Sequence, residues 1–575
     1  MPRKKAFSAK QKKEQLKKKR HYTDKQPGAQ KRAEKCSHSP VVSDSNEDSG
    51  ENSVPTSSVN SKRNHDPDRY KLFFQTESND EIEERKRKAR MPIIRFEKKQ
   101  LEITLEEIYK PGTVLDMPKR PRWSYTMSKH EVEKNEEKMF IKYVDDIKKE
   151  NLGSQLSYFE MNLETWRQLW RVLEVSDIVL IITDVRYPVI HFSPTLYTYV
   201  RDELKKDIVL VLNKIDLVTP EVVVSWKCYF QEKFPHLHIV CFTSFPKDPE
   251  EIRQLETKVK KHLGRKKKKS FMPIGPLELH SICTKIVDGK VNLKDWLSHI
   301  ENESNGGVTY DEMLSSDEDE GDSSTYEDVE KQEGILTIGL VGHPNVGKSS
   351  LLNGLVGKKV VSCSRTPGHT KHFQTIFLTP NVRLCDSPGL VFPSLVDRRL
   401  QILSGTYPIA QVREPYSVVG YMAACIPLEN TLNLVHPKIA QLEDDESIPK
   451  DIEWSAWDIC DAWAEQRGFR TAKAGRPDTY RAANSLLRLA TQGKIVMCLY
   501  PPGFFSKQDE WKDHPETKEI AKLQQQFSDL KQWRLNENCT QCELERESSE
   551  DTDEDSDTNN SLQMFNPYLL LQEED

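Results

Sequence analysis

The apolar residues of this chain gather in its middle, in short runs set between longer periodic stretches. Leu163, Trp166, Leu169, Trp170 and Leu173 recur at three- and four-residue spacing, which predicts an amphipathic helix. Directly after it comes Asp177-Ile178-Val179-Leu180-Ile181-Ile182-Thr183-Asp184, a β-branched run of the length and character of a buried parallel strand. Runs of the same kind follow at Ile208 to Leu212, His238 to Phe242, Ile335 to Val341, Phe373 to Leu378 and Val382 to Leu384. Helix-length segments separate most of them. Strands alternating with helices predict an α/β fold, a parallel-rich sheet with helices on both faces. Residues 420–510 change character and predict a mostly helical region, with Trp454, Trp457, Trp463 and Leu486-Leu487 as core.

The flanks lack such periodicity. Residues 1–90 are Lys/Ser-rich and are expected to be disordered. Residues 91–157 read as a helical extension around the turn Pro118-Lys119-Arg120-Pro121. The main domain is expected over 158–420, interrupted at 264–334 by a flexible insertion that opens on Arg265-Lys266-Lys267-Lys268-Lys269. A helical C-terminal domain over 421–510 and an acidic tail over 511–575 complete the organisation.

Composition agrees with a folded middle and polar ends: only 36% of the 575 residues are hydrophobic and 30% are charged, with a mean hydropathy of −0.69. The net charge of −6 hides strong segregation. Residues 1–40 carry 14 Lys/Arg against 3 acids, and residues 311–333 carry 11 acids against one Lys. Residues 543–557 hold nine acids and one Arg. No run approaches the roughly 18 apolar residues that span a bilayer, and no apolar stretch follows the basic start, so neither a membrane span nor a secretory signal is expected. Eleven scattered cysteines suit a reducing compartment. Cys539 and Cys542 form the single CxxC, too few ligands for structural zinc.

The sharpest chemistry lies at strand ends. Gly342-His343-Pro344-Asn345-Val346-Gly347-Lys348-Ser349 fits GxxxxGK[ST] between a predicted strand and a predicted helix, the setting that a phosphate loop requires. Glycines let the backbone wrap a phosphate with their N–H groups facing inward, near a helix N-terminus, and Gly342, Asn345, Val346, Gly347, Lys348, Ser349 and Ser350 are the expected nucleotide-binding residues of the loop. Lys348 is assigned to the β- and γ-phosphates and Ser349 to Mg²⁺. Asp386-Ser387-Pro388-Gly389 is a DxxG 38 residues after Lys348. Asp386 suits Mg²⁺ held through water, and the Gly389 N–H suits the γ-phosphate. In Arg365-Thr366-Pro367-Gly368-His369-Thr370, Thr370 is the expected Mg²⁺ ligand and Thr366 the alternative. The catalytic set is thus Lys348, Thr370 and Gly389.

Asn213-Lys214-Ile215-Asp216 is an NKxD at another strand end. The Asp216 carboxylate matches the N1–H and 2-amino donors of guanine, and adenine would leave it unpaired. Thr243-Ser244, after the next strand, would bring backbone N–H groups to the base. GTP and GDP are therefore the expected ligands. In a Ras-like GTPase the phosphate loop comes first and NKxD last; here the order is reversed, and a circular permutation resolves it. Residues 264–334 would join the old termini.

This order resembles the circularly permuted GTPases, the family of YlqF, nucleostemin and the Lsg-type large-subunit factors. Phe159 to Arg171 is similar to the family's helix before the first strand, Asp184-Val185-Arg186-Tyr187-Pro188 to its DARxP element, and Thr366 to Gln374 to the switch of the Lsg-type branch. The resemblance covers about residues 90–510. It implies a circularly permuted Ras-like P-loop GTPase that assists assembly of the ribosomal large subunit or another RNA–protein particle. A regulatory G protein or nucleotide-binding scaffold with protein partners is the alternative. Asn345 resembles the asparagine that holds K⁺ in potassium-stimulated relatives; shaping the loop is its other reading. The basic start fits RNA binding or a nuclear and nucleolar address, and both readings stand. The cytoplasm is a second location. Acidic tracts offer surfaces to protein partners or act as spacers. No DNA sequence specificity is expected. Leu390-Val391-Phe392-Pro393 after Gly389 lacks any group to orient a water, so isolated turnover is expected to be slow.

Overall fold

The computed structural model describes residues 79–150, 156–244, 273–306, 334–362, 373–439, 452–471 and 475–524. Its centre is a six-stranded sheet: β1 (Ile178–Asp184), β2 (Asp207–Asn213), β3 (His238–Phe242), β4 (Leu336–Val341), β5 (Gln374–Thr379) and β6 (Val382–Asp386). The order across the sheet is β3-β2-β1-β4-β6-β5. All neighbours are parallel except β5, which is antiparallel to β6. The chain builds outward from β1 to one edge, then restarts at β4, places β5 at the other edge and inserts β6 between them. The seam between β1 and β4 is therefore the point where strand order reverses, and α/β sheets bind ligands beside the carboxyl ends of such a pair. The expected permuted topology is the one observed.

Side-chain alternation explains the two layers. Along β1, Ile178, Leu180 and Ile182 enter one core, while Val179 and Ile181 enter the other. One face is covered by α1 (Leu163–Val175), whose Trp166, Trp170, Val172 and Leu173 are buried, and by α2 (Pro220–Lys233). The other face is covered by α3 (Pro276–Val287), α4 (Lys294–Gly306) and α5 (Lys348–Val356).

Four sequence expectations need correction. Residues 273–306 lie inside the stretch expected to be a flexible insertion, yet they form α3 and α4. Leu279, Cys283 and Val287 recur every fourth residue and, with Trp296, seal the sheet. Residues 79–90 were expected to be disordered, yet Asn79–Lys88 is helical with Ile82 and Ala89 buried. Residues 91–128 are not mainly helical. They run as a strap tied by isolated pairings, Pro92 with Ser455 and Glu102 with Tyr500, before the capped helix Lys129–Lys149. The acidic tail begins later than 511, because residues 515–524 are helical and Ile520 is buried.

The segment after the sheet carries helices: α6 (Arg398–Leu403) precedes the stretch 420–510 that was expected to be helical, α7 (Tyr416–Cys425) runs into it, and α8 (Ala456–Gln466) and α9 (Thr479–Thr491) lie within it. It shares one continuous core with the α1 face of the sheet. Trp463 is buried and Trp454 and Trp457 pack against that core, so the tryptophans are core residues. No described helix is long and apolar enough to cross a membrane.

Candidate functional site

The phosphate loop sits where β4 turns into α5. Gly342 has φ +154°, and a Cβ there would come 2.5 Å from the Ile182 carbonyl of β1. Gly347, at φ +102°, would meet Asn213 Nδ2 at 2.4 Å. Glycine is thus required at both ends of the loop. Asn345 also adopts a left-handed conformation, φ +60°. Val346 is buried in the core and anchors the turn, and Ser350 lies in the first turn of α5.

Lys348 is the first residue of α5, is buried, and donates through Nζ to Gly342 O (3.0 Å) and His343 O (2.7 Å). Burial pushes its ammonium down to about 8, with Asp386 pulling the other way. Asp386 ends β6, in register with Leu340 of β4. Its Oδ2 accepts from Ser349 Oγ at 2.7 Å, and its Oδ1 is buried without a hydrogen-bond partner among the described residues. Burial raises Asp386 to about 6, against the pull of Lys348 and Ser349. The set is hard oxygen, and an unsatisfied buried carboxylate oxygen beside a hydroxyl suits Mg²⁺. Gly389 lies against the loop: a Cβ there would be 2.7 Å from Pro344 Cα. The next residue, Leu390, donates its N–H to Gly342 O and is buried, as are Val391 and Phe392.

The second motif meets the first from β2. Asn213 is buried and donates through Nδ2 to Val346 O at 2.8 Å. Lys214 takes a left-handed φ of +64° and spans two groups, Asn345 O (2.7 Å) and Asp184 Oδ2 (2.8 Å). Asp216 is half-buried, and its Oδ1 accepts from Thr243 Oγ1 at 2.6 Å. Thr243 is in turn held by backbone pairing with Ile274, and the buried Ser244 lies beside Gly354 of α5. The structure therefore brings every described residue of the two motifs to one rim of the sheet. Thr366 and Thr370 lie outside the described residues.

Two features were not legible in the motifs. Asp184, at the end of β1, is buried and grips Arg186 through two contacts, Nε to Oδ1 at 3.0 Å and Nη2 to Oδ2 at 2.8 Å. Burial alone would raise the Asp184 carboxyl; Arg186 and Lys214 outweigh it and hold the group well below the usual carboxylate range. Arg186 also donates through Nη1 to the Ala490 carbonyl at the end of α9 (2.9 Å). A side-chain chain thus runs from the loop carbonyl of Asn345 through Lys214, Asp184 and Arg186 to the C-terminal helices. The second feature is a buried pair of histidines, His343 in the loop and His191, with ring centroids 5.3 Å apart. Burial pushes His191 down to about 3 and His343 well below the usual value, so both rings are neutral.

The family described as 50S ribosome-binding GTPase matches residues 337–423. Guanine nucleotide-binding protein-like 1 of Homo sapiens is 47% identical over 552 residues, 91% of this chain and 90% of that one. Large subunit GTPase 1 homolog of Mus musculus is 32% identical over 72% of this chain and 70% of its own. Among solved structures, GNP-bound YlqF from T. maritima covers 59% of this chain and 98% of its own, with 17% identity and a TM-score of 0.33.

Proposed function

This chain belongs to the family of guanine nucleotide-binding protein-like 1, circularly permuted GTPases, and we propose that it acts as a slow nucleotide switch on a large ribosomal subunit particle. Like the family, it binds guanine nucleotide and hydrolyses GTP to GDP and phosphate. Asp216 reads the two guanine donors, with Thr243 fixing its carboxylate; the Thr243 N–H is already donated to Ile274 O, which leaves the backbone N–H of Ser244 for the base. The loop N–H groups from Asn345 to Ser350 cradle the phosphates. Lys348 exchanges its carbonyl acceptors for β- and γ-phosphate oxygens, which are stronger acceptors because they carry charge. Ser349 and Asp386, with Thr370 as the sequence leads us to expect, would hold Mg²⁺, which would neutralise phosphate charge.

The observation that carries the switch is the burial of Leu390, Val391 and Phe392 immediately after Gly389. A γ-phosphate pulling on the Gly389 N–H moves a segment that is core for the C-terminal helices, so the nucleotide state reaches residues 390–420 through a buried connection, the irregular stretch 387–397. The same burial leaves no side chain there to orient a water, and hydrolysis waits for a partner or a cation. Asn345 supports a K⁺ site: its Nδ2 donates to Gly405 O at 2.9 Å, which leaves its side-chain Oδ1 for a cation. Support for the ribosomal partner is the family's description and the name of the mouse relative, together with the basic start, which also serves as a nuclear or nucleolar address.

Co-sedimentation with large-subunit particles is expected with a non-hydrolysable GTP analogue and not with GDP. Turnover is expected to rise on adding the particles and in KCl over NaCl. Equal co-sedimentation in both states would remove the switch. No co-sedimentation would favour a regulatory G protein with other protein partners. Fast hydrolysis in NaCl, unchanged by particles, would sink the slow-turnover mechanism.

A further inference from the structure

Away from the nucleotide rim, the helix Asn79–Lys88 meets α6 and the start of α7 across an open cavity of about 380 Å³. Arg85, Arg398, Arg399 and Arg413 line it, with a single lining carboxylate, Glu414. That carboxylate is buried and already accepts from the Ser417 N–H at the start of α7. Arg399 is bound by Asp397, the N-cap of α6. Arg398 is held in place: it lies over the Tyr158 ring, 4.9 Å from its centroid, and donates to Leu156 O at 3.1 Å. Tyr158 stacks on Tyr407 with centroids 4.3 Å apart, forming a rigid aromatic floor. Arg413 is exposed and makes no ion pair among the described residues. Four guanidinium groups converge on one cavity, Arg398 fixed by a ring and a carbonyl and Arg399 by the Asp397 carboxylate, and together they form a preorganised anion seat.

We propose that this cleft seats the sugar–phosphate backbone of single-stranded RNA, an inference that rests on the RNA-particle reading above. The helix that forms one wall ends in Arg85-Lys86-Arg87-Lys88, followed by Arg90, and Lys86, Arg87, Lys88 and Arg90 are exposed. Cationic surface thus extends beyond the cavity from the last turn of the helix, while its first turns carry Asp80, Glu81, Glu83 and Glu84, of which Glu84 pairs with Lys88. A lone phosphorylated side chain would use the cavity and leave that surface idle; a chain of phosphates uses both. The other wall leads back to the nucleotide. Tyr407 is two residues from Gly405, whose carbonyl accepts from Asn345 of the phosphate loop. RNA in the cleft therefore presses on the segment that holds the loop.

The test uses the full chain, an oligouridylate RNA and a KCl series read by fluorescence anisotropy. The double variant Arg85→Glu, Arg413→Glu is expected to bind RNA at least about tenfold more weakly, with the salt dependence shallower by about two phosphate contacts. GTP affinity and melting temperature should be unchanged, and Arg85→Lys, Arg413→Lys should restore most binding. The control reverses Lys138 and Lys142, exposed on the helix Lys129–Lys149. Equal losses in control and cleft variants would overturn the site while leaving the RNA reading intact. A wild type that does not bind RNA would overturn the RNA reading itself. Displacement of the RNA by a doubly phosphorylated acidic peptide at lower concentration would replace RNA by a protein partner and overturn the proposal.

Discussion

At the phosphate end of the site, Lys348 and Asp386 are charged groups stripped of water and only partly partnered; at the base end, Asn213 and Lys214 are tied into the scaffold by several bonds each. The pKa shifts express the contrast. Lys348 is pushed down to about 8 and Asp386 up to about 6, so at both residues burial disfavours the charged form that binding needs. Asp184, behind the base end, is shifted the other way because Arg186 and Lys214 over-satisfy it. One end waits for ligand charge, and the other carries its charge balance within the fold. Substitutions at the phosphate end should therefore cost binding, and those behind the base end should cost folding.

The largest effect is expected at Arg186. Arg186→Met leaves the Asp184 carboxylate buried beside Lys214 alone and frees the Ala490 carbonyl. Breaking a buried pair costs about 3–5 kcal/mol, and the melting temperature without nucleotide should fall by about 10 °C. Wild-type melting with lost nucleotide affinity would reverse the contrast drawn here. Next is Asp216→Asn, whose side chain is half-buried at the rim and outside that network. The amide can no longer accept both guanine donors, and GTP affinity in a competition assay should drop roughly 100-fold while XTP is gained. An unchanged preference for GTP over ATP would remove Asp216 from the base site.

Lys348→Ala should lower GTP affinity by about 2 kcal/mol, roughly 30-fold, with melting shifted little because the lost group was a desolvated cation. Wild-type affinity would refute the phosphate-loop assignment. The smallest effect is that of pH. As pH falls through about 6, Asp386 takes up a proton and Mg²⁺-dependent GTP affinity should fall, by up to about tenfold per unit. Stability without ligand moves oppositely: the folded state holds that proton more tightly than the unfolded chain, so this group's contribution is present at low pH and is lost as pH rises through about 6. Above about 8, Lys348 loses its proton and affinity should fall again. A flat affinity profile between these limits and beyond would show that neither group bears on binding.

The sheet, its strand ends and both nucleotide motifs were legible because each motif follows a β-branched run and uses residue types with one plausible chemistry at that spacing. Cys283 and Trp296 were harder to read, since a basic run before α3 and an acidic run after α4 made the whole stretch look like linker. The helix Asn79–Lys88 buries Ile82 alone among ten residues, too little for periodicity. The link from Arg186 to α9 left no sequence signal at all, because its acceptor is a backbone carbonyl 304 residues away.

The seam between β1 and β4 also sets a timetable for synthesis. β2 and β3 follow β1 closely, but the other edge of β1 is completed only by β4, where Thr337, 160 residues downstream of Asp177, donates its N–H to Asp177 Oδ2. At about 5–20 residues per second, a half-built sheet shows the bare edge of its most apolar strand for roughly 8–32 seconds on the ribosome. Unpaired apolar edges recruit other strands. A nascent chain halted between β3 and β4 is therefore expected to bind chaperones more strongly than one halted after β6, as ribosome-bound pull-downs of the two lengths would read.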